Sequence, residues 1–259
     1  MNILLIGCGK MGGAMLRQWT SRGAHSFTVA DPAATDLPDG VTHVTRAADL
    51  PTGAFDVALI AIKPQMIADV LPDYVHAVKD GGTFVSIAAG ASVASIEKVV
   101  GDVAIVRVMP NMAALVGMGV SGLYANARCT PQQAQAITDL IDQTGTCIPV
   151  ESEDQIDRLT AVSGSGPGYV FEVLRSYVAA AEALGFDHDT ARTLVFDTVS
   201  GTVEAARQSD LTLEELRNSV TSKNGTTQAG LDALRRDGTL DDLFHTTLQA
   251  AYARAGELK

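Results

Sequence analysis

An α/β chain in two parts is the fold class this sequence predicts: an open, doubly wound sheet over residues 1–153, then an all-helical region over 154–259. Three observations carry it. Short apolar runs alternate with helix-compatible stretches through the first half, and the first run stops at a glycine-rich loop. From about Glu153 onward, apolar residues recur at helical spacing instead. Strand–helix alternation implies parallel strands with helices on both faces, and a run of helices after it implies a separate layer or domain.

Taken in order, NILLI (2–6) is an apolar run of the kind buried on both faces of a sheet. A helix from about Met11 to Arg22 follows it, then a second strand, FTVAD (27–31). FDVALIAI (55–62), TFVSIAA (83–89) and VAIVRVM (103–109) repeat the strand signature. GVSGLYA (119–125) and GTCIPV (145–150) are further strands, with a helix from Pro131 to about Gln143 between them. In the second half, Val170, Val173, Leu174, Tyr177, Val178, Ala181 and Leu184 form one helical stripe that Gly185 stops. Further helices are expected over about 189–208, 212–219, 226–236 and 240–255. This region is more apolar than a helical layer usually leaves exposed, which predicts a buried subunit interface.

Composition narrows the function. A chain of 259 residues can build two domains, each with its own core. With 46% apolar and 19% charged residues it is globular rather than disordered. A net charge of −11 without clustered Lys or Arg excludes a nucleic-acid surface. Cys8, Cys129 and Cys147 are far apart and lack C-x-x-C spacing, so neither a disulfide framework nor a zinc site is expected. The five histidines show no H-E-x-x-H pairing, and no protein-bound metal is expected. The segment NILLIG is too short for a signal h-region and has no basic n-region. No stretch reaches the length of a membrane span, so the expected location is the cytoplasm, with no membrane partner.

Gly7, Gly9 and Gly12 in GCGKMG match G-x-G-x-x-G, a pattern too short to trust alone. Here it follows a buried strand, opens a helix and precedes a second strand ending in Asp31. That is the arrangement in which glycines bring the backbone to a pyrophosphate while an acidic residue takes a ribose hydroxyl. The reading is a Rossmann-like dinucleotide site, with Gly7, Cys8, Gly9, Lys10, Met11 and Gly12 as the loop. A carboxylate at Asp31 accepts hydrogen bonds from the 2′-hydroxyl of NAD and repels the 2′-phosphate of NADP, so NADPH or NADH is expected, with a lean towards NADH. Ile62, Lys63 and Pro64 follow a strand on the edge where open α/β sheets bind ligands. Ala88 and Ala89 in SIAAG, and MPN at 109–111, end other strands there, where small residues leave room for a flat ring.

The segment TSKNGTT (221–227) admits two readings. It is a loop with a helix cap, built on turn formers with Gly225 permitting positive φ. Alternatively, it is a hydroxyl-lined pocket at a helix start, where free N–H groups hold a small anion such as a carboxylate. Local composition does not separate them.

Together GCGKMG, IKPQ, SIAAG, RVMPN, SGSGPGY (163–169) and TSKNGTT followed by GLDAL resemble pyrroline-5-carboxylate reductases over essentially the whole chain. The last two motifs lie outside the generic cofactor fold. The resemblance implies hydride transfer from NAD(P)H to 1-pyrroline-5-carboxylate to form L-proline. It puts Ser222, Gly225, Thr226 and Thr227 on the substrate, with Thr227 the catalytic candidate at the ring nitrogen. It also implies a homodimer built on the helical domain, a larger ring of dimers, and an active site near the junction of the two domains. The family commonly has Ser-Pro-Gly-Gly where this chain has Ser222, Lys223, Asn224 and Gly225, and alanine where it has Gly168. Asn224 must then adopt a shape that a glycine held. Lys223 either adds a positive charge near a carboxylate or points to water. The competing readings are a reductase of another cyclic imine, a hydroxy-acid dehydrogenase with a catalytic lysine, and a non-catalytic dinucleotide sensor.

Overall fold

A computed structural model describes residues 1–258. The chain divides into two compact units, Met1–Pro167 with the residues from Ala251 onward, and Gly168–Ala250.

The first unit is built on one eight-stranded sheet: β1 (Asn2–Ile6), β2 (Ser26–Ala30), β3 (Thr42–Val44), β4 (Phe55–Ile60), β5 (Val78–Ser86), β6 (Ala104–Met109), β7 (Gly119–Ala125) and β8 (Gly145–Pro149), in the order β3-β2-β1-β4-β5-β6-β7-β8. Its helices are α1 (Lys10–Arg22), α2 (Ile67–Val70), α3 (Val93–Val100), α4 (Pro131–Asp142) and α5 (Glu153–Leu159). The apolar runs are strands because both faces are covered. Ile3 and Leu5 pack in one core with Met15, Trp19 and Leu140. Leu4 and Ile6, pointing the other way, pack in a second core with Leu71, Tyr74 and Ile96. Trp19 stacks on Phe27 and its indole N–H donates to Leu140 O at 2.7 Å, so α1 and α4 share one face.

Strand order reverses between β1 and β4, and the crevice at their carboxyl ends is where such sheets take ligands. β2 ends at Ala30, one residue before Asp31, and β4 ends at Ile60, so Ile62, Lys63 and Pro64 lie beyond the strand. Two features depart from the sequence reading. β7 runs antiparallel to β6, although β8 is parallel to β7. The short link between β6 and β7 holds only a tight 3₁₀ turn, Met112–Val116, and cannot supply the long crossover a parallel pair needs. β3, unforeseen, is too short to show a period.

The helices of the second region are α6 (Gly166–Ala183), α7 (His188–Arg207), α8 (Leu213–Ser219), α9 (Thr226–Leu234) and α10 (Thr239–Glu257). The helix expected to reach 236 stops at Leu234, and Asp237 and Gly238 turn the chain with positive φ. Only part of the α6 stripe is used internally: Ala181, Leu174 and Val178 pack on Ala191 and Val195 of α7. Val170, Phe171, Val173 and Tyr177 stay about half exposed. Among the described residues no helix is long and apolar enough to cross a membrane.

Candidate active site

The three loop glycines are glycine for three different reasons. Gly7 has φ +85°, and a methyl group on it would meet Ile62 Cγ2 at 2.7 Å. Gly12 is buried where α1 crosses the sheet, and a methyl there would sit 3.0 Å from Ala61 Cβ. Gly9 is exposed, with ordinary φ of −69°, and nothing of the protein lies within 4 Å of its would-be Cβ. The chain's own packing does not demand a glycine at Gly9, whereas close approach of a ligand would. Gly9 is also the N-cap of α1, with no side-chain cap and no acidic residue in the first turn, so the helix start is open to an anion. A dinucleotide pyrophosphate fits that cradle.

Beside the loop a cavity of about 900 Å³ is lined by Gly7, Asp31, Arg46, Ile62, Tyr74 and His76, among others. The Asp31 carboxylate is engaged: Oδ2 accepts the Cys8 N–H at 2.6 Å and Oδ1 the Ala33 N–H at 2.8 Å. It therefore shapes the glycine loop as well as lining the cavity. Burial, followed by the Asp31 charge, pushes the Cys8 thiol above its usual range, so this cysteine stays protonated near neutral pH. Lys10 and Lys63 are exposed, Met11 and Pro64 partly covered. Ala88 is 6% exposed in the second core while Ala89 is exposed at the strand end. The sequence reading did not single out Arg46, Tyr74 or His76. Arg46 enters the cavity because β3 places the loop after it beside β2, and that strand is not visible in the pattern.

At the end of β6, Asn111 is buried and ties the MPN turn to its neighbours. Its Oδ1 accepts the N–H groups of Ala113 at 3.2 Å and Val120 at 3.1 Å, and its Nδ2 donates to Ser163 O at 3.1 Å. Ser163 lies in a π-helical turn, Thr160–Gly164, closed by Ser165 N–H donating to Thr160 O at 2.8 Å. The MPN and SGSG motifs thus hold each other. Within β6, buried Arg107 pairs with Glu153 at 3.0 Å and Asp157 at 3.4 Å, fastening α5 to β6.

In the helical unit, TSKNGTT forms a turn and then a helix start. Asn224 has φ +61°, the left-handed conformation its position requires. Gly225 does not use positive φ: its φ is −83°, and it is glycine because a Cβ would collide with Ser222 Oγ. Its N–H donates to Ser222 O at 3.0 Å, so it is spent within the turn and not available to an anion. Positive φ at the third residue only is the type II pattern, in which Pro-Gly is favoured and Lys223-Asn224 is a workable substitute. Neither Thr226 nor Thr227 caps the helix; the N-cap is Gly225, without a side-chain cap. Ser222, Thr226 and Thr227 are exposed around it, as is Lys223.

That pattern sets two helices apart from five others. α3, α4, α5, α7 and α8 each begin at a Ser, Thr or Asp that accepts a backbone N–H of the first turn. α1 and α9, which follow GCGKMG and TSKNGT, begin at bare glycines with no acid in the first turn. Leaving such N–H groups uncapped costs stability, and the cost is recovered when an anion binds.

An oxidoreductase with an N-terminal dinucleotide fold and a helical second region is the class that this architecture and these loops define. Residues 2–90 match the family model of NADP oxidoreductase, coenzyme F420-dependent, and residues 153–258 match that of pyrroline-5-carboxylate reductase dimerisation. The pyrroline-5-carboxylate reductase of Pseudomonas aeruginosa is 35% identical over 264 residues, covering 99% of this chain and 96% of the relative. The solved structure of a pyrroline-5-carboxylate reductase from Coxiella burnetii is 32% identical with a TM-score of 0.90, covering 100% of this chain and 98% of that one. The crystal structure of the Plasmodium falciparum pyrroline carboxylate reductase with NADP bound, at 24% identity and a TM-score of 0.86, shares the fold over 100% of this chain and 98% of that one. The chain belongs to the pyrroline-5-carboxylate reductase family.

Proposed function

We propose that this protein reduces 1-pyrroline-5-carboxylate to L-proline with NADH or NADPH, in the cytoplasm, as a homodimer that can assemble into a ring of dimers. The observation that carries the reading is the pair of uncapped glycine-led helix starts, one in GCGKMG and one in TSKNGTT. The first suits a pyrophosphate and the second a small carboxylate. The bound dinucleotide supplies the hydride. Residues 1–153 serve as the dinucleotide-binding domain and 154–259 as the substrate and dimerisation domain. Gly7 to Gly12 hold the pyrophosphate. Ile62, Lys63, Pro64, Ala88 and Ala89 border the ring end, and Asp31 favours NADH by accepting a ribose hydroxyl.

A protonated cyclic imine is already electrophilic, so the protein has to orient two rings and exclude water rather than supply a strong acid or base. Ser222 Oγ and the Thr226 N–H hold the substrate carboxylate. The Thr227 hydroxyl oxygen accepts the N–H of the protonated ring nitrogen. Hydride addition at the imine carbon, C2 of the pyrroline and C5 of the proline product, then leaves a neutral secondary amine, with the nitrogen proton already in place. The fixed turn of Ser222 to Gly225 keeps these groups pre-oriented.

The test is turnover of purified protein with the imine and either dinucleotide, followed by loss of reduced-nicotinamide absorbance and by proline formation. Thr227→Ala should lower kcat/KM by about tenfold to a hundredfold, the worth of one hydrogen bond to a charged group, with dinucleotide affinity unchanged. An undiminished variant removes Thr227 from the mechanism.

A further inference from the structure

We propose that Arg46 is a specificity-determining residue for the dinucleotide: its guanidinium is the cation that receives a 2′-phosphate, and Asp49 holds it in reserve. The inference rests on the reading of the large cavity beside GCGKMG as the adenosine end of a dinucleotide site. Asp31 and Asp73 line that cavity, and Arg46 is the only arginine or lysine among the described residues lining it. A 2′-phosphate entering there meets two carboxylates, and Arg46 is the group able to offset them.

The geometry of Arg46 suits the task. Its side chain is 75% exposed and so is not committed to the core. Nε donates to Asp49 Oδ2 at 3.0 Å and Nη2 to Asp49 Oδ1 at 2.7 Å, while Nη1 carries no hydrogen bond among the described residues. An exposed pair three residues apart is weak, and a phosphate with close to two negative charges competes well for the same planar fork. Asp31 is already partly satisfied by the N–H groups of Cys8 and Ala33, which lowers its repulsion of an incoming phosphate without removing its capacity to accept a ribose hydroxyl. Asp31 and Arg46 thus act on the same ribose in opposite senses. Asp31 draws the unphosphorylated cofactor, and Arg46 keeps the phosphorylated one usable.

Two fragments lacking the reacting ring, ADP-ribose and 2′-phospho-ADP-ribose, separate this inference from the reaction itself. Calorimetric titration of the full-length protein should show that Arg46→Ala weakens 2′-phospho-ADP-ribose by about tenfold or more, with ADP-ribose changed by less than about threefold. Asp49→Asn, which frees the guanidinium, should tighten the phosphorylated fragment and leave the other unchanged. Equal losses for both fragments in Arg46→Ala would overturn the inference by making Arg46 a cover for the adenine only, and so would no loss for either. A wild-type protein that binds neither fragment overturns both this inference and the dinucleotide reading of the cavity. Discrimination by Arg46 in a protein that fails to turn over the imine supports the inference while sinking the proposed reaction.

Discussion

The sheet unit and the helical unit solve the burial problem differently. In the first, alternate strand residues fill two separate cores, so that Leu4 and Leu5, neighbours in sequence, are both fully buried on opposite faces. In the second, only Ala181, Ala191 and Val195 are buried apolar residues among those described, while Leu184 is 82% exposed and Phe171 55%. A large apolar side chain left in water forgoes about 1.5–3 kcal/mol. Ordinary scattered exposure does not account for a stripe on one helix. The contrast teaches that the sheet unit closes two large cores within one chain, whereas the helical unit leaves much of its apolar stripe uncovered. The match of residues 153–258 to a dimerisation family gives the missing cover its identity, a second copy.

The strongest way to break this comparison is to charge the open face. Phe171→Glu combined with Tyr177→Glu should reduce the mass measured by light scattering to that of the monomer and lower turnover by about tenfold or more, since central aromatic residues dominate interfaces. An unchanged mass would mean that the α6 stripe is not the interface. On the closed side, Arg107→Met removes the cation facing Glu153 and Asp157 and should destabilise the protein by about 3–5 kcal/mol in denaturant unfolding. A loss below about 1 kcal/mol would show that the cluster is not a buried ion network in solution.

A finer contrast lies within the glycine loop. Gly7→Ala forces a side chain into left-handed backbone against Ile62 and should lower the melting temperature, at a cost of about 1–2 kcal/mol or more. Gly9→Ala meets nothing of the protein, and should leave the melting temperature in place while weakening NADH binding by about tenfold. Equal behaviour of the two would end the assignment of Gly9 to the ligand. The smallest effect concerns acid. Asp56 accepts the Asn2 N–H and then a hydrogen bond from Lys79, and both hold its carboxyl below the usual carboxylate range. Its contribution is therefore complete above the unfolded pKa, near 3.9 for an ordinary Asp, and is lost as pH falls through the lower folded value. Asp56→Asn should flatten the stability profile in that acid window alone, and by little, because the side chain is 38% exposed.

Much of this was legible beforehand, for identifiable reasons. NILLI read correctly as a strand because burial on both faces leaves a direct mark on residue type. Asn224 read correctly because left-handed backbone admits few residues other than glycine. Gly225 was misassigned within the same loop: its need for glycine comes from contact with Ser222, and a collision between two loop residues leaves no mark on propensity. The cavity-lining role of Arg46 was not legible at all, since it depends on a three-residue strand pairing with β2.

By itself the sequence determined the two-part α/β organisation, the place of the dinucleotide loop and the family, because periodicity, glycine spacing and motif order are local properties of the chain. Only the tertiary structure decided the reversed direction of β7, the clamp of Asn111 on Ser163, the engagement of Asp31 by the loop it faces, and the entry of Arg46 into the cavity. Each of these depends on residues brought together from distant positions, or on a connection too short for the alternative, and such constraints act only once the chain has folded.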